Sequence, residues 1–275
     1  MKPTAKCSMM LLICGLLVSG CGGQKIPPEK PVQSHSADAA AEDWDAALRR
    51  ALRQRETGVE GEDPGDAEAF FSALLCGMTD AENAADLAAV TWADGGEETG
   101  TLRLHLVYDA APQELERRGA WAAAYAAGFA EGCRMLPPEV CVLLAHDAVL
   151  RRCSYAAEGG GSAYAALHGG EARCAGYAAA FRLLCAAAGI PCETVTGTVR
   201  SSTGGTQPHA WNIVTLGGSR YHVDCTWDDR AGRVLHTWFL RSDAEMAATH
   251  AWDRQGTEAA EGGTLSYTAI VTAMQ

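Results

Sequence analysis

The chain has 275 residues, is 48% hydrophobic and 20% charged, and carries a formal net charge of −12. That composition is globular, and an acidic chain with no basic cluster is excluded from holding nucleic acid or anionic lipid by charge. Eleven cysteines suggest a disulfide scaffold, but no C-x-x-C pair marks a structural zinc site. Cys76, Cys141, Cys153 and Cys185 lie in apolar helical patterns, where cysteine behaves as a small hydrophobe. Free buried thiols are the default reading, with room for one or two disulfides.

Residues 1–20 read as an export signal. Lys2 and Lys6 make a positive start, Met9 to Val18 is an apolar run too short to span a bilayer, and Ser19-Gly20 precede Cys21. Small residues directly before a cysteine resemble the bacterial lipobox. The resemblance implies cleavage before Cys21, a diacylglyceryl thioether on its sulfur, and an extracytoplasmic lipoprotein anchored to the membrane. An ordinary secretory signal with an incidental Cys21 is the alternative, and both place the mature chain outside the cytoplasm. Without Lys2 and Lys6 the formal charge falls from −12 to −14, so the anchor would act without electrostatic help. Residues 21–41 mix Pro, Gly, Ser, Gln and Ala and read as a flexible tether. What remains, about 230 residues, suffices for one sizeable domain or two small ones.

Trp44, Leu48, Ala51 and Leu52 keep helical spacing within Glu42 to Arg55, and Glu56 to Gly65 is a polar break. Ala67 to Met78 and Ala81 to Ala89 read as Ala-rich helices. Thr101 to Tyr108 alternates, with Leu102, Leu104, Leu106 and Tyr108 on one face of a strand, and Glu114 to Met135 is a further helix. Residues 42–135 thus form a helical or α+β block without a cluster of reactive side chains, and packing or substrate shaping is its expected role. In 136–275, Pro137-Pro138 open a helix to about Cys153. His146 shares a face with Val142, Val149 and Cys153, and reads as a satisfied core histidine. Gly159-Gly160-Gly161 is expected as a flexible loop. It lacks the Gly-Lys-Ser/Thr that a phosphate loop needs.

The chemistry is concentrated further on. Ala175 to Ala188 is strongly helical, with Tyr177, Phe181, Leu184 and Ala188 on an apolar face, and Gly189 then Pro191 stop it. Cys174 falls in the first turn, where the positive helix end stabilises a thiolate and unpaired N–H groups offer an oxyanion site. Ala175 and Gly176 keep that turn small enough for a substrate to approach. Downstream, HAWNIVTLGGSRYHVDCTW is a hairpin around Gly217-Gly218. With those two residues as the turn, opposed positions sum to 435: Trp211 faces Asp224, Ile213 faces His222, and His209 is the diagonal neighbour of Asp224. A three-residue loop would separate them. The implied roles are Cys174 as nucleophile, His209 as its proton acceptor and later donor, and Asp224 as the group that orients His209.

CAGYAAAF at Cys174, GIP at Gly189, HAWN at His209 and VDCTWDD at Val223 resemble the transglutaminase-like superfamily in its bacterial exported branch. Weaker matches are AHDAVLRRCSY, SAYAAL, FLRSDAEM and the later HAW. The resemblance covers roughly the second half of the chain. It implies an α+β, papain-like core, with a nucleophile helix on an antiparallel sheet, preceded here by a smaller α/β block. It also implies a Cys174–His209–Asp224 triad, with Tyr164 of SAYAAL as a candidate second oxyanion donor. The implied activity is acyl transfer on peptide or side-chain amides through a thioester on Cys174. Hydrolysis by a peptidase or amidase is favoured; a protein cross-linker and a non-catalytic peptide- or cell-wall-binding module are the alternatives. No cofactor and no metal are implied, and no calcium loop is visible. The expected partner is a peptide or protein substrate, cell-wall peptides among them. Metabolic labelling with a fatty acid should mark the wild type and leave Cys21→Ala unlabelled, and equal labelling of both would end the lipoprotein expectation.

Overall fold

The structure, a computed structural model, describes residues 8–11, 43–65, 70, 87–94, 100–200, 204–230, 233–254 and 258–275. Cys21, the tether and most of the two Ala-rich helices lie outside these residues.

The first block is built on one amphipathic helix. In α1 (Trp44–Gln54) the residues Trp44, Ala47, Leu48, Ala51 and Leu52 are buried, and each fully buried large side chain contributes about 1.5–3 kcal/mol. They cover an antiparallel sheet of order β1-β3-β4-β2, with β2 (Gly58–Glu62), β3 (Leu87–Asp94), β4 (Thr101–Tyr108) and β1 (Ser8–Leu11), the last lying inside the span expected as a cleaved export signal. β4 buries Leu102, Leu104 and Leu106, as its alternation requires. The polar break contains β2, which the pattern misses because Val59 alone is apolar and buried there. Pairing with β4, Val59 against Leu104, supplies what local pattern does not. Gly61 makes this possible, because a Cβ there would lie 2.8 Å from Trp44 Cε2. Leu87 to Ala89 are also strand rather than the end of an Ala-rich helix, drawn into the ladder with β4.

A second core starts at α2 (Pro112–Cys133), whose Ala126 and Cys133 pack with α3 (Pro138–Arg152) and α4 (Cys174–Ala187). This core reaches back beyond the boundary expected at 135. Between α3 and α4 lie β5 (Ser154–Gly160), a π-helical turn at Ala165–Gly169, and β6 (Glu171–Ala172), which runs parallel to β5. The five-stranded antiparallel sheet has the order β12-β9-β8-β7-β13. Its strands are β7 (Cys192–Arg200), β8 (Thr206–Leu216), β9 (Ser219–Val223), β12 (Phe239–Arg241) and β13 (His250–Trp252). The connections hold α5 (Cys225–Asp228), a small pair of β10 (Asp229–Arg230) and β11 (Arg233–Val234), α6 (Asp243–Met246) and the terminal α7 (Tyr267–Ala273). α4 packs Tyr177, Phe181 and Leu184 into the core shared with Val214, Tyr221 and Val223 of the sheet. Val195, Trp211 and Ile213 form a separate cluster with Met246 and Ala260. This is the α+β arrangement expected. The seven cysteines from Cys133 to Cys225 among the described residues are free thiols.

The three glycines at 159–161 are not a flexible loop. A Cβ at Gly159 would meet the Ala172 backbone at 2.8 Å, one at Gly160 the Ala165 Cβ at 2.5 Å, and one at Gly161 the Arg173 guanidinium at 2.5 Å. They let β5 lie tightly against the entry to α4. Gly197 plays the same part in the sheet, where a Cβ would collide with Ala251 O and sit 3.0 Å from Trp211 Cη2. Gly197→Ala should therefore pry β13 from β7 at a cost of about 1–3 kcal/mol. Thermal unfolding should show a Tm lower by about 2–4 °C for each kcal/mol lost; an unchanged Tm would contradict the close approach.

Candidate functional site

Cys174 is the first helical residue of α4. The preceding Arg173 is clamped on β5: its N–H donates to Gly160 O at 3.2 Å and its guanidinium donates to Gly159 O at 2.9 Å. Its carbonyl accepts from the N–H groups of Gly176 and Tyr177, which starts the helix tightly. The first N–H groups of α4 have no partner within the helix, and with the helix dipole they put positive potential at the thiol. Cys174 is buried against Ala178 and Ala210. Gly176 does not open the turn to substrate. A Cβ there would lie 2.6 Å from Ala172 Cβ and 2.8 Å from Gly160 O, so glycine is needed for packing.

His209 comes from β8. The hairpin turn is Gly217-Gly218, with φ of 58° and 83°, the pair of left-handed residues that a tight two-residue turn needs. The register follows: Ile213 pairs with His222 and Asn212 with Val223, the last pair of the ladder. Asp224 itself leaves the ladder. Its N–H donates to Trp238 O at 3.0 Å, and its Oδ1 accepts from Trp227 N at 3.0 Å, capping α5. His209 Nε2 donates to Asp224 Oδ2 at 2.7 Å, which leaves Nδ1 as the nitrogen facing the Cys174 thiol. Asn212 of the HAWN motif ties β8 to α4, donating to Ala178 O at 3.2 Å.

The electrostatics follow from this line. Burial alone would raise the Cys174 thiol, but the hydrogen bond and charge of His209 outweigh it and hold its pKa below the usual thiol value. Burial disfavours a charged His209, yet the Asp224 carboxylate and then Cys174 push it up to about 10. Burial likewise opposes the Asp224 charge, and His209, then His250, hold its carboxyl well below the usual range. Both directions favour the thiolate–imidazolium form of the pair.

Two residues near the site were not assigned from sequence. His250 is buried and donates from Nε2 to the same Asp224 Oδ2 at 3.0 Å, while its Nδ1 accepts from Thr249 Oγ1 at 2.9 Å. Trp211, Trp227 and Trp238 surround its ring at 5.0, 4.7 and 5.1 Å. The later HAW was its only sequence signal. His209, Asp224 and His250 are close enough to hold a metal ion, but the imidazole N–H groups already saturate the shared oxygen. Tyr155 of CSY, half-exposed, has its phenol pKa raised by burial and then by the charge of Cys174. Tyr164 lies beside Trp121 of α2. Its ring stacks on His168 at 4.5 Å and meets Trp121 edge-on at 5.6 Å, held by packing against α2.

Residues 127–225 match the family model of the transglutaminase-like superfamily. Among solved structures, the chain is similar to a candidate cysteine protease from Cytophaga hutchinsonii, with 21% identity over 31% of this chain and 30% of that one and a TM-score of 0.28. It is also similar to a TGase, with 14% identity over 63% of this chain and 53% of that one and a TM-score of 0.34. Both matches thus span well under two thirds of the solved chains. No curated protein matches this chain.

Limiting iodoacetamide at pH 6 should alkylate Cys174 before Cys185 or Cys225, whose thiols burial pushes well above the ordinary value. His209→Ala should slow the labelling. The sign follows from the pair. Asp224, lowered on folding, supports the ion pair above its unfolded pKa of about 4, and that support is lost as pH falls. His209, raised on folding, supports it fully below about 6.5, and the support is lost as pH rises through about 10. The Cys174 rate should therefore change little between pH 5 and pH 8, where an ordinary thiol would slow about tenfold per unit on acidification. Peptide mapping decides it, and a Cys174 rate that follows the ordinary thiol slope would refute the resting ion pair.

Proposed function

We propose, from the match of residues 127–225 to the transglutaminase-like superfamily, that the protein is an exported cysteine-dependent acyl-transfer enzyme that acts on amides through a thioester on Cys174. The observation that carries the proposal is the hydrogen bond from His209 to Asp224, with the Cys174 thiol at the positive end of α4 and its pKa lowered by His209. In this reading the Cys174 thiolate attacks the amide carbonyl carbon, forming C–S while the carbonyl electrons move to oxygen. The N–H groups that open α4 stabilise that oxyanion. His209 gives its proton to the departing nitrogen as C–N breaks, and the amine leaves a thioester. An acceptor then attacks, His209 takes its proton, and the acid or new amide departs to restore the thiolate–imidazolium pair.

Water is the acceptor we favour, because an amine must be bound at its own subsite to compete with it. Peptides outside the cytoplasm, including those of the cell wall, are the proposed substrates, reached by a protein tethered through a lipid on Cys21.

Incubation with a peptide library, with and without an added primary amine, separates the readings by mass spectrometry. Cleavage or deamidation that Cys174→Ala abolishes is the expected result. Because the residual rate in proteins lacking one triad member reflects binding and oxyanion contacts alone, His209→Ala should lower turnover by about 10⁴-fold or more. A mass gain from the amine would make the protein a cross-linker. No change in any peptide would favour a binding module.

A further inference from the structure

We propose that His146, Asp147 and His236 form a binding site for one divalent transition-metal ion of the zinc class. The site shares no residue with Cys174, His209 and Asp224.

His146 and Asp147 are adjacent on α3, and His236 lies in the segment before β12. The candidate ligand atoms of the three residues all lie within 4.8 Å of one another. His146 Nδ1 is 3.2 Å from Asp147 Oδ1, and His236 Nε2 is 2.8 Å from that same oxygen. Ligands bound at about 2.0–2.1 Å in a tetrahedron stand about 3.3 Å apart, so small side-chain movements would admit an ion. Two imidazoles and one carboxylate suit zinc and its neighbours rather than calcium or magnesium.

The groups behind the ligands are also in place. His146 Nε2 meets Asp228 Oδ2 at 3.2 Å, and the Trp238 N–H holds both oxygens of this buried carboxylate at 3.0 and 3.1 Å. A carboxylate behind a histidine fixes its tautomer and directs the other nitrogen to a metal. Arg151 occupies Asp147 Oδ2 at 2.8 Å, which leaves Oδ1 for the ion. The His236 ring is held face to face on Tyr267 at 3.8 Å.

Access separates this cluster from the one at Asp224. The side chains of Asp147 and His236 are 14% and 13% exposed, against 0% for Asp224 and His250, so an ion can enter and keep water as a fourth ligand. Once bound, it would join α3 to the segment before β12 and, through Asp228, to the helix that Asp224 caps. No motif spacing announces the site, because His236 follows His146 by 90 residues (236 − 146).

The test uses the full chain carrying Cys174→Ser, so that the nucleophile cannot ligate. Metal-stripped protein is titrated with Co²⁺, then with Zn²⁺ in competition. One equivalent of Co²⁺ should give a visible band without thiolate charge transfer, Zn²⁺ should displace it, and Zn²⁺ should raise Tm. His236→Ala and Asp147→Asn should each weaken binding by more than about tenfold, and Asp228→Asn by about 10–100-fold. Asp147→Asn keeps the side-chain shape, so its result stands even if His236→Ala misfolds. The proposal is overturned by no uptake in folded Cys174→Ser protein. Equal uptake in Asp147→Asn, or uptake abolished by His250→Ala in place of these substitutions, would overturn it as well.

Discussion

Asp224 is a carboxylate cut off from water, and a buried charge is tolerated only where hydrogen bonds and an opposite charge replace what water supplied. Those replacements come from three separate parts of the chain: His209 on β8, His250 on β13 and the Trp227 N–H of α5. Because every donor must be in place at once, the hairpin register, the far edge strand and the short helix are fixed by one need. Removing one partner from such a buried pair costs about 3–5 kcal/mol, a large part of the stability of an ordinary domain. The carboxylate that orients the histidine is thus also where the sheet is tied together.

A second layer holds the first. Trp211 Nε1 donates to His222 Nδ1 at 2.8 Å, and His222 Nε2 donates to Asp243 Oδ1 at 2.8 Å. Burial, the largest influence on His222, lowers its pKa. It is a neutral strut that fixes Trp211 beside His209 and His250, the two imidazoles bonded to Asp224. Neighbouring histidines therefore serve opposite ends: His209 is held charged by the carboxylate it faces, and His222 remains neutral because it both accepts and donates.

What was legible in the sequence was local or periodic. The helix ending in Gly189-Ile190-Pro191 and the strand of alternating leucines at 102–106 announce themselves, and Gly217-Gly218 set the register that brings His209 to Asp224. β2 was hidden because its partner, not its own pattern, makes it a strand. The glycines at 159–161 look like a hinge until the residues packed against them are known. His250 reaches Asp224 only because β13 is added to the edge of β7, a pairing of distant segments that no period encodes.

The hairpin also restricts which changes of length the chain can accept. Residues on a strand alternate between faces, so the fifteen-residue interval between His209 and Asp224 acts as a ruler with a parity. One residue inserted within β8 between His209 and Leu216 would turn His209 to the other face of the sheet, whereas a pair would lengthen the arm and keep the face. Natural variation in length should be even-numbered, or nil, between 209 and 216.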